Sequence, residues 1–514
     1  MRRPEKRCCP ALPQNEPLLD APDIQGNILP GFRRRQQRLV GFRAPSAIAL
    51  KAAIAIILEN LTDLPAVLAD KEVRKAALLA GGSRPARPDL WLNYALGVRA
   101  TDLLGLQRLR TLEPAFDVGM PLRAGDTTEP LLPDGSPDPT CPQNWRVGGP
   151  NRALDLLLIL ATDEPIESAS AALVARIEAC GLTRIYSEVG ALLQDDKEHF
   201  GFQDGISQPG VMGIVEIDGV QRFVTTRYGI PGSLGIDFGK PGQPLLPPEQ
   251  FLFGNDEDLR NGSFLVFRRL RQDVAAFYAE TQSMSDTLAT QLGHEVDLAE
   301  FRARVVGRWP SGQPLMRPSA HPETPEPAMS RNHFLFASDV PALVLNTGEH
   351  VGGVGGDPLV LKGARCPIWS HIRKVNPRDL LTNLGGPDDT RARQMLRRGI
   401  PFGPPYHRDD PGHPDNAAER GLLFLAYQAS ITEQFETLNM NWMNSDTGPM
   451  ARGFDLLVGQ NLADGRHGPK AALYFDPVSG ASCPITTLEQ WVKPTGGEYL
   501  FSPSVSWTRR IALG

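Results

Sequence analysis

With 514 residues, the chain is long enough for two or three domains, and 41% apolar against 22% charged residues excludes wholesale disorder. A net charge of −6 offers no basic face for general nucleic-acid binding. The six cysteines, Cys8, Cys9, Cys141, Cys180, Cys366 and Cys483, make neither a disulfide scaffold nor a zinc motif, which favours a reducing compartment.

The N-terminus MRRPEKR is basic, but CCPALPQNEPLLDAPDIQGN follows it without a continuous apolar run. Neither a secretory nor a twin-arginine signal is expected. The most apolar segments, around Ala47–Leu58 and Leu154–Ala161, are broken by Lys51 and Asp155 and are too short to span a bilayer. The expectation is a soluble, cytoplasmic protein.

A short apolar strand followed by an amphipathic helix recurs four times. The pairs are Leu39–Arg43 with a helix from Ser46 to Leu61, and Leu154–Thr162 with a helix from Ile166 to Cys180. Then come Ser263–Phe267 with a helix from Gln272 to Thr281, and Leu422–Tyr427 with a helix from Ile431 to Asn444. Between them, Leu90–Leu96 alternates as a strand does. Two strand–helix units per half predict an α+β fold of two ferredoxin-like β-α-β-β-α-β modules, the dimeric α/β-barrel type, with long loop insertions. The expected division is a loose segment 1–23, an N-terminal module 24–215 and a C-terminal module 216–514. Three proline-dense stretches, Pro121–Pro150, Pro310–Pro327 and Pro401–Pro414, read as loops, because proline lacks a backbone donor.

Three segments carry candidate chemistry. Glu198–Pro209 (EHFGFQDGISQP) packs glycines around Asp204, so a backbone can run against a flat ligand; by itself Asp204 also suits an ordinary turn. Cys366–Arg378 (CPIWSHIRKVNPR) sets His371 beside three cations, which favour the neutral imidazole a metal ligand needs; a satisfied core histidine is the alternative. Arg393–Pro404 (RQMLRRGIPFGP) also suits a helix end with Gly399 as its cap.

Taken in order, GxxDG at Gly201–Gly205, HIRKVNPR at His371–Arg378 and RRGIPFGP at Arg397–Pro404 resemble the dye-decolourising peroxidases, a family of haem enzymes. IQGNILPGF at Ile24–Phe32, GSFLVFRRLRQDV at Gly262–Val274 and GLLFLAYQASITEQFE at Gly421–Glu436 look like that family too, most like its larger, fungal-like branch. The resemblance implies one haem b (heme b) per chain, held by the C-terminal module, and a peroxidase that uses hydrogen peroxide to oxidise phenols and aromatic dyes through high-valent iron. It implies His371 as the iron ligand, Asp204 as the acid–base group and Arg397 as the charge-stabilising cation, with Arg398 a structural neighbour. Leu422 and Phe424 match positions lining the pocket, and they share a strand face. Arg378 matches a residue that pairs with a haem propionate. Glu436, or else Glu433, is the expected carboxylate partner of His371. Tyr406, Trp369 and Trp442 are candidate electron relays, since Phe402 stands where tyrosine is familiar. Expected partners are hydrogen peroxide and small aromatic reductants, with no nucleic acid and no membrane; a homo-oligomer is allowed. The alternative is a haem-binding protein, or a chlorite-decomposing or haem-processing enzyme on the same superfold.

Overall fold

The computed structural model describes residues 21–81, 86–123, 130–209, 229–230, 237–238, 258–316, 330–332, 334, 336, 365–378, 380–451, 453–463 and 466–514. The first strand–helix unit is β1 (Gln36–Arg43) and α1 (Ala47–Asn60). The Ser46 hydroxyl accepts the Ala49 N–H and so satisfies one of the free donors at the helix start. β2 (Trp91–Leu96), β3 (Leu156–Thr162), α2 (Ile166–Ala179) and β4 (Thr183–Ala191) complete the first half. These strands pair antiparallel in the order β4-β1-β3-β2, the ferredoxin-like arrangement.

The second half repeats it with β5 (Ser263–Gln272), α3 (Val274–Leu292), β6 (Leu396–Arg397), β7 (Ile400–Phe402), β8 (Gly421–Gln428) and β9 (Val492–Ser502). β6 and β7 pair in succession along β8, so they act as one strand interrupted at Arg398-Gly399. The order β9-β5-β8-β7 reproduces that of the first half. Single bridges at Phe501–Leu96 and Gly190–Phe402 join the halves, and the sheet closes on itself as a barrel. The boundary expected at residue 215 lies outside the described residues.

Closure buries both sheet faces. Leu39, Ile159, Phe267, Leu425 and Leu500 fill the barrel interior. Val40, Leu158, Phe264 and Val266 pack outward, in the core that includes Ile54 of α1 and Leu173 of α2. The alternation in β2 therefore separates two buried faces, and all six residues are buried. Two expectations change. The third helix runs on to Leu292, because Asp273 caps it through the Ala276 N–H and Gly293 (φ 75°) ends it. Pro401 lies inside β7 opposite Leu422, on a segment short enough to omit one backbone donor. No helix among the described residues is long and apolar enough to cross a membrane.

Glu498 of β9 is buried and accepts the Leu154 N–H at 3.3 Å. Burial, helped by nearby Asp155, pushes its carboxyl up to about 8. The folded state thus holds a proton that the unfolded chain releases near pH 4.5, so this stabilisation is complete in acid and is lost as pH rises through about 8. Below pH 6.5 the neutral His199 imidazole, pushed down to about 4 by burial, works in the opposite sense. Glu198, pushed up to about 7 by burial, adds to the fall below that pH, so the window in which Glu498 stands apart is about pH 7–8. Denaturant unfolding is expected to show stability falling across it, and the Glu498→Gln variant is expected to flatten the slope. An unchanged slope would remove Glu498 as the cause.

Candidate active site

Outward-facing residues of the second half's strands do not all meet helices. Arg268, Leu270 and Gln272 of β5, Leu422 and Phe424 of β8, and Val492 and Pro494 of β9 line a cavity of about 300 Å³. Its other walls come from α4 (His371–Val375), from the 198–209 peptide, and from Phe435, Leu438, Asn439 and Met443 of α5 (Ile431–Met443), a helix of π type. Leu422 and Phe424 share the cavity face, while Leu423 and Leu425 between and beyond them point into the barrel.

The Glu198–Pro209 peptide is laced to β6. The Gln208 side chain accepts the Arg397 N–H at 3.1 Å and donates to the Arg397 carbonyl at 3.2 Å. The Arg397 guanidinium donates to the Ser207 carbonyl at 2.8 Å and to Asp204 Oδ1 at 3.3 Å. Asp204 and Arg397, 193 residues apart, thus form one ion pair on the cavity wall. Arg398, one residue on, is fully turned away. It donates to the carbonyls of Asn27, Ile28 and Arg397 and covers Gly31, whose φ of +97° and lack of a Cβ admit it. The IQGNILPGF segment therefore serves as a brace for β6.

His371 follows Ser370 at the first position of α4 and lines the cavity. Its Nδ1–H donates to Asp455 Oδ2 at 2.7 Å. That bond leaves the Nε2 lone pair free for a metal. Asp455 is fully buried, and its other oxygen accepts the N–H groups of Leu457 and Val458.

Four guanidiniums, Arg268, Arg308, Arg378 and Arg397, line the same cavity. Burial, followed by repulsion from Arg397, pushes Arg308 down to about 9. Arg378, in the left-handed region at φ 58°, donates to the Asn332 and Phe334 carbonyls and lies 3.6 Å over the Phe334 ring. Burial pushes Glu198 up to about 7, so it is neutral in acid and adds no charge there. An apolar slot holding an excess of buried cations and one free imidazole lone pair fits a flat, dianionic, axially ligated group. Haem has that chemistry.

The family model "Dyp-type peroxidase, C-terminal" matches residues 352–452. The chain is 28% identical to dye-decolorizing peroxidase msp1 of Mycetinis scorodonius, over 96% of this chain and 88% of that protein. It is 27% identical to dye-decolorizing peroxidase AauDyP1 of Auricularia auricula-judae, over 95% and 86%. The solved structure of an ancestral D-type dye-decolorizing peroxidase superposes with a TM-score of 0.70 at 25% identity, covering 96% of this chain and 98% of that one. Along nearly its whole length the chain is similar to dye-decolourising peroxidases, and residues 352–452 match the C-terminal domain of that family.

Within this site one expected residue is misplaced. Glu436 does not meet His371. It is buried in a bidentate pair with Arg123 and accepts the Tyr499 hydroxyl at 3.0 Å. Glu433 lies at the surface on Arg393. The π winding of α5 sets Phe435, Leu438, Asn439 and Met443 toward the cavity and turns Glu436 to the far side. Asp455 takes the expected role from the loop beyond α5, where no periodicity marks it. Trp369 and Trp442 are buried, donating to the Leu473 carbonyl and to Asn383 Oδ1, so they pack the core. Phe402 is buried beneath the Arg269 guanidinium.

The Asp455 contact carries a prediction. Asparagine keeps the shape but loses the charge that makes His371 a strong donor. Haem affinity should fall by about 10–100-fold, and the iron(III)/iron(II) midpoint, measured by spectroelectrochemistry, should move positive. An unmoved midpoint would mean that His371 draws its basicity from elsewhere.

Proposed function

We propose that the peroxidase works through His371, Asp204 and Arg397, with haem b held in the C-terminal half and one haem per chain. The supporting observation is the Asp204–Arg397 ion pair on the wall of the cavity that also receives the free His371 nitrogen. Bound haem would supply the redox centre. Asp204 Oδ accepts the proton of hydrogen peroxide and returns it to the departing oxygen, while Arg397 stabilises the charge that develops there. Leu422 and Phe424 keep the remaining wall apolar, and Arg378 and Arg308 offset the propionate charge. Aromatic dyes are reductants, as the names of the relatives suggest, together with phenols and related small aromatic molecules. The cytoplasm is the proposed location: Cys141, Cys180 and Cys483 are free thiols.

The test is a Soret spectrum, a stopped-flow reaction with one equivalent of peroxide, and turnover with a phenol and with an anthraquinone dye. Asp204→Asn should slow the peroxide reaction about 10²-fold at every pH while haem stays bound. An Asp204→Asn enzyme with a wild-type peroxide step would leave Asp204 a role only in the shape of the pocket.

A further inference from the structure

A second group of metal-type ligands lies outside this cavity. His407, His413 and Asp415 come from one nine-residue segment of the proline-rich 401–414 insertion and its exit, and their ligand atoms all lie within 4.8 Å of one another. The imidazoles stack with centroids 3.6 Å apart and planes at 25°. His407 Nε2 and His413 Nδ1 lie 3.6 and 3.8 Å from the same carboxylate oxygen, Asp415 Oδ2.

These separations are too long for hydrogen bonds. They fall within a few tenths of an ångström of the roughly 3.3–3.4 Å between two ligands of a tetrahedral ion with bonds of about 2.0–2.2 Å. The loop is held in this shape without an ion. Asn416 accepts the His407 N–H at 2.9 Å and donates to the carbonyls of His407 and Asp410 at 3.1 and 3.0 Å. The three side chains are about a third to a half exposed, which leaves a path for entry.

We propose that His407, His413 and Asp415 bind one divalent transition-metal ion of the zinc or copper(II) class. Two imidazoles with one carboxylate suit such ions over magnesium or calcium, which prefer all-oxygen sets. Three protein ligands leave a position for water or an exogenous donor. Binding opens the ring stack, so that each in-plane lone pair can aim at the ion, and exchanges the 3.2 Å contact from the Asp415 N–H to His413 Nδ1 for a metal–nitrogen bond. His407 is also a wall of a second, open cavity, shared with Tyr278, Arg302 and Tyr406. An ion here would fix that wall and add positive charge to it.

The experiment is calorimetric titration of the chelator-treated, untagged holoenzyme with zinc chloride. A Cys8→Ser/Cys9→Ser background removes the adjacent thiols that could also take zinc. One ion per chain is expected, with affinity lowered at least ~10-fold by His407→Ala, by His413→Ala or by Asp415→Asn. Copper(II) should bind more tightly than zinc and magnesium should not compete. Failure to bind zinc at one equivalent, or equal binding by the His407→Ala/His413→Ala double variant, overturns the site. Haem content and peroxide reactivity are read in the same samples, so loss of the catalytic reading and loss of this one are distinguishable.

Discussion

His371→Ala is expected to purify almost free of haem. Its imidazole lines the cavity with Nδ1 committed to Asp455, which leaves Nε2 as the nitrogen for the proposed iron ligation. The remaining contacts are apolar side chains and guanidiniums, which can hold a flat dianion but not its iron. The Soret absorbance per chain should fall sharply. Adding imidazole should restore part of it, because the cavity walls and Asp455 remain. The fold should survive, since His371 is a quarter exposed and sits at the first turn of a five-residue helix. A variant with full haem and an unchanged histidine-ligated spectrum would transfer the ligand role to another histidine; His333 and His350 lie outside the described residues.

Arg397→Leu is expected to slow the reaction with peroxide by ~10²–10³ while haem remains bound, the usual cost of removing one preorganised charge-stabilising group. The backbone of Arg397 stays clamped by Gln208, so the change is confined to the guanidinium and its bonds to Asp204 and Ser207. The neighbouring Arg398→Leu should behave in the opposite way. Three carbonyls lose their donor in a buried setting, at about 1–3 kcal/mol each. The expected result is lowered stability with a nearly normal peroxide step in the protein that folds. A larger kinetic effect from Arg398→Leu would reverse the two assignments.

The contrast between the two arginines shows how local information divides. The RRGIPFGP string marks two adjacent cations, Arg397 at the end of β6 and Arg398 in the interruption after it, and successive residues of extended chain point to opposite sides. Which side holds the cavity depends on the register of β6 against β8, through Arg397–Ala426 and Leu396–Tyr427. The strand–helix repeats were legible because their apolar periods and caps are properties of neighbouring residues. Ser46, Asp273 and Gly293 act within a few positions of the helices they bound.

Glu436 and Asp455 show the limit. A carboxylate on the amphipathic Ile431–Met443 helix is a reasonable partner for His371 under ordinary helical winding. The π winding of α5 rotated it onto Arg123 and Tyr499, and Asp455 came in from a loop 84 residues after His371. Neither event has a short-range signature. Glu198 and Arg308 likewise owe their shifted ionisation to burial, which the chain acquires only when the sheet closes. The sequence by itself determined the four strand–helix units, the order of Asp204, His371 and Arg397, and the residue types available for proton transfer and iron ligation. The tertiary structure alone decided which carboxylate meets the histidine, which arginine faces the cavity and which acids stay neutral. Those outcomes depend on strand register, helix winding and solvent exclusion, all of which arise between residues far apart in the chain.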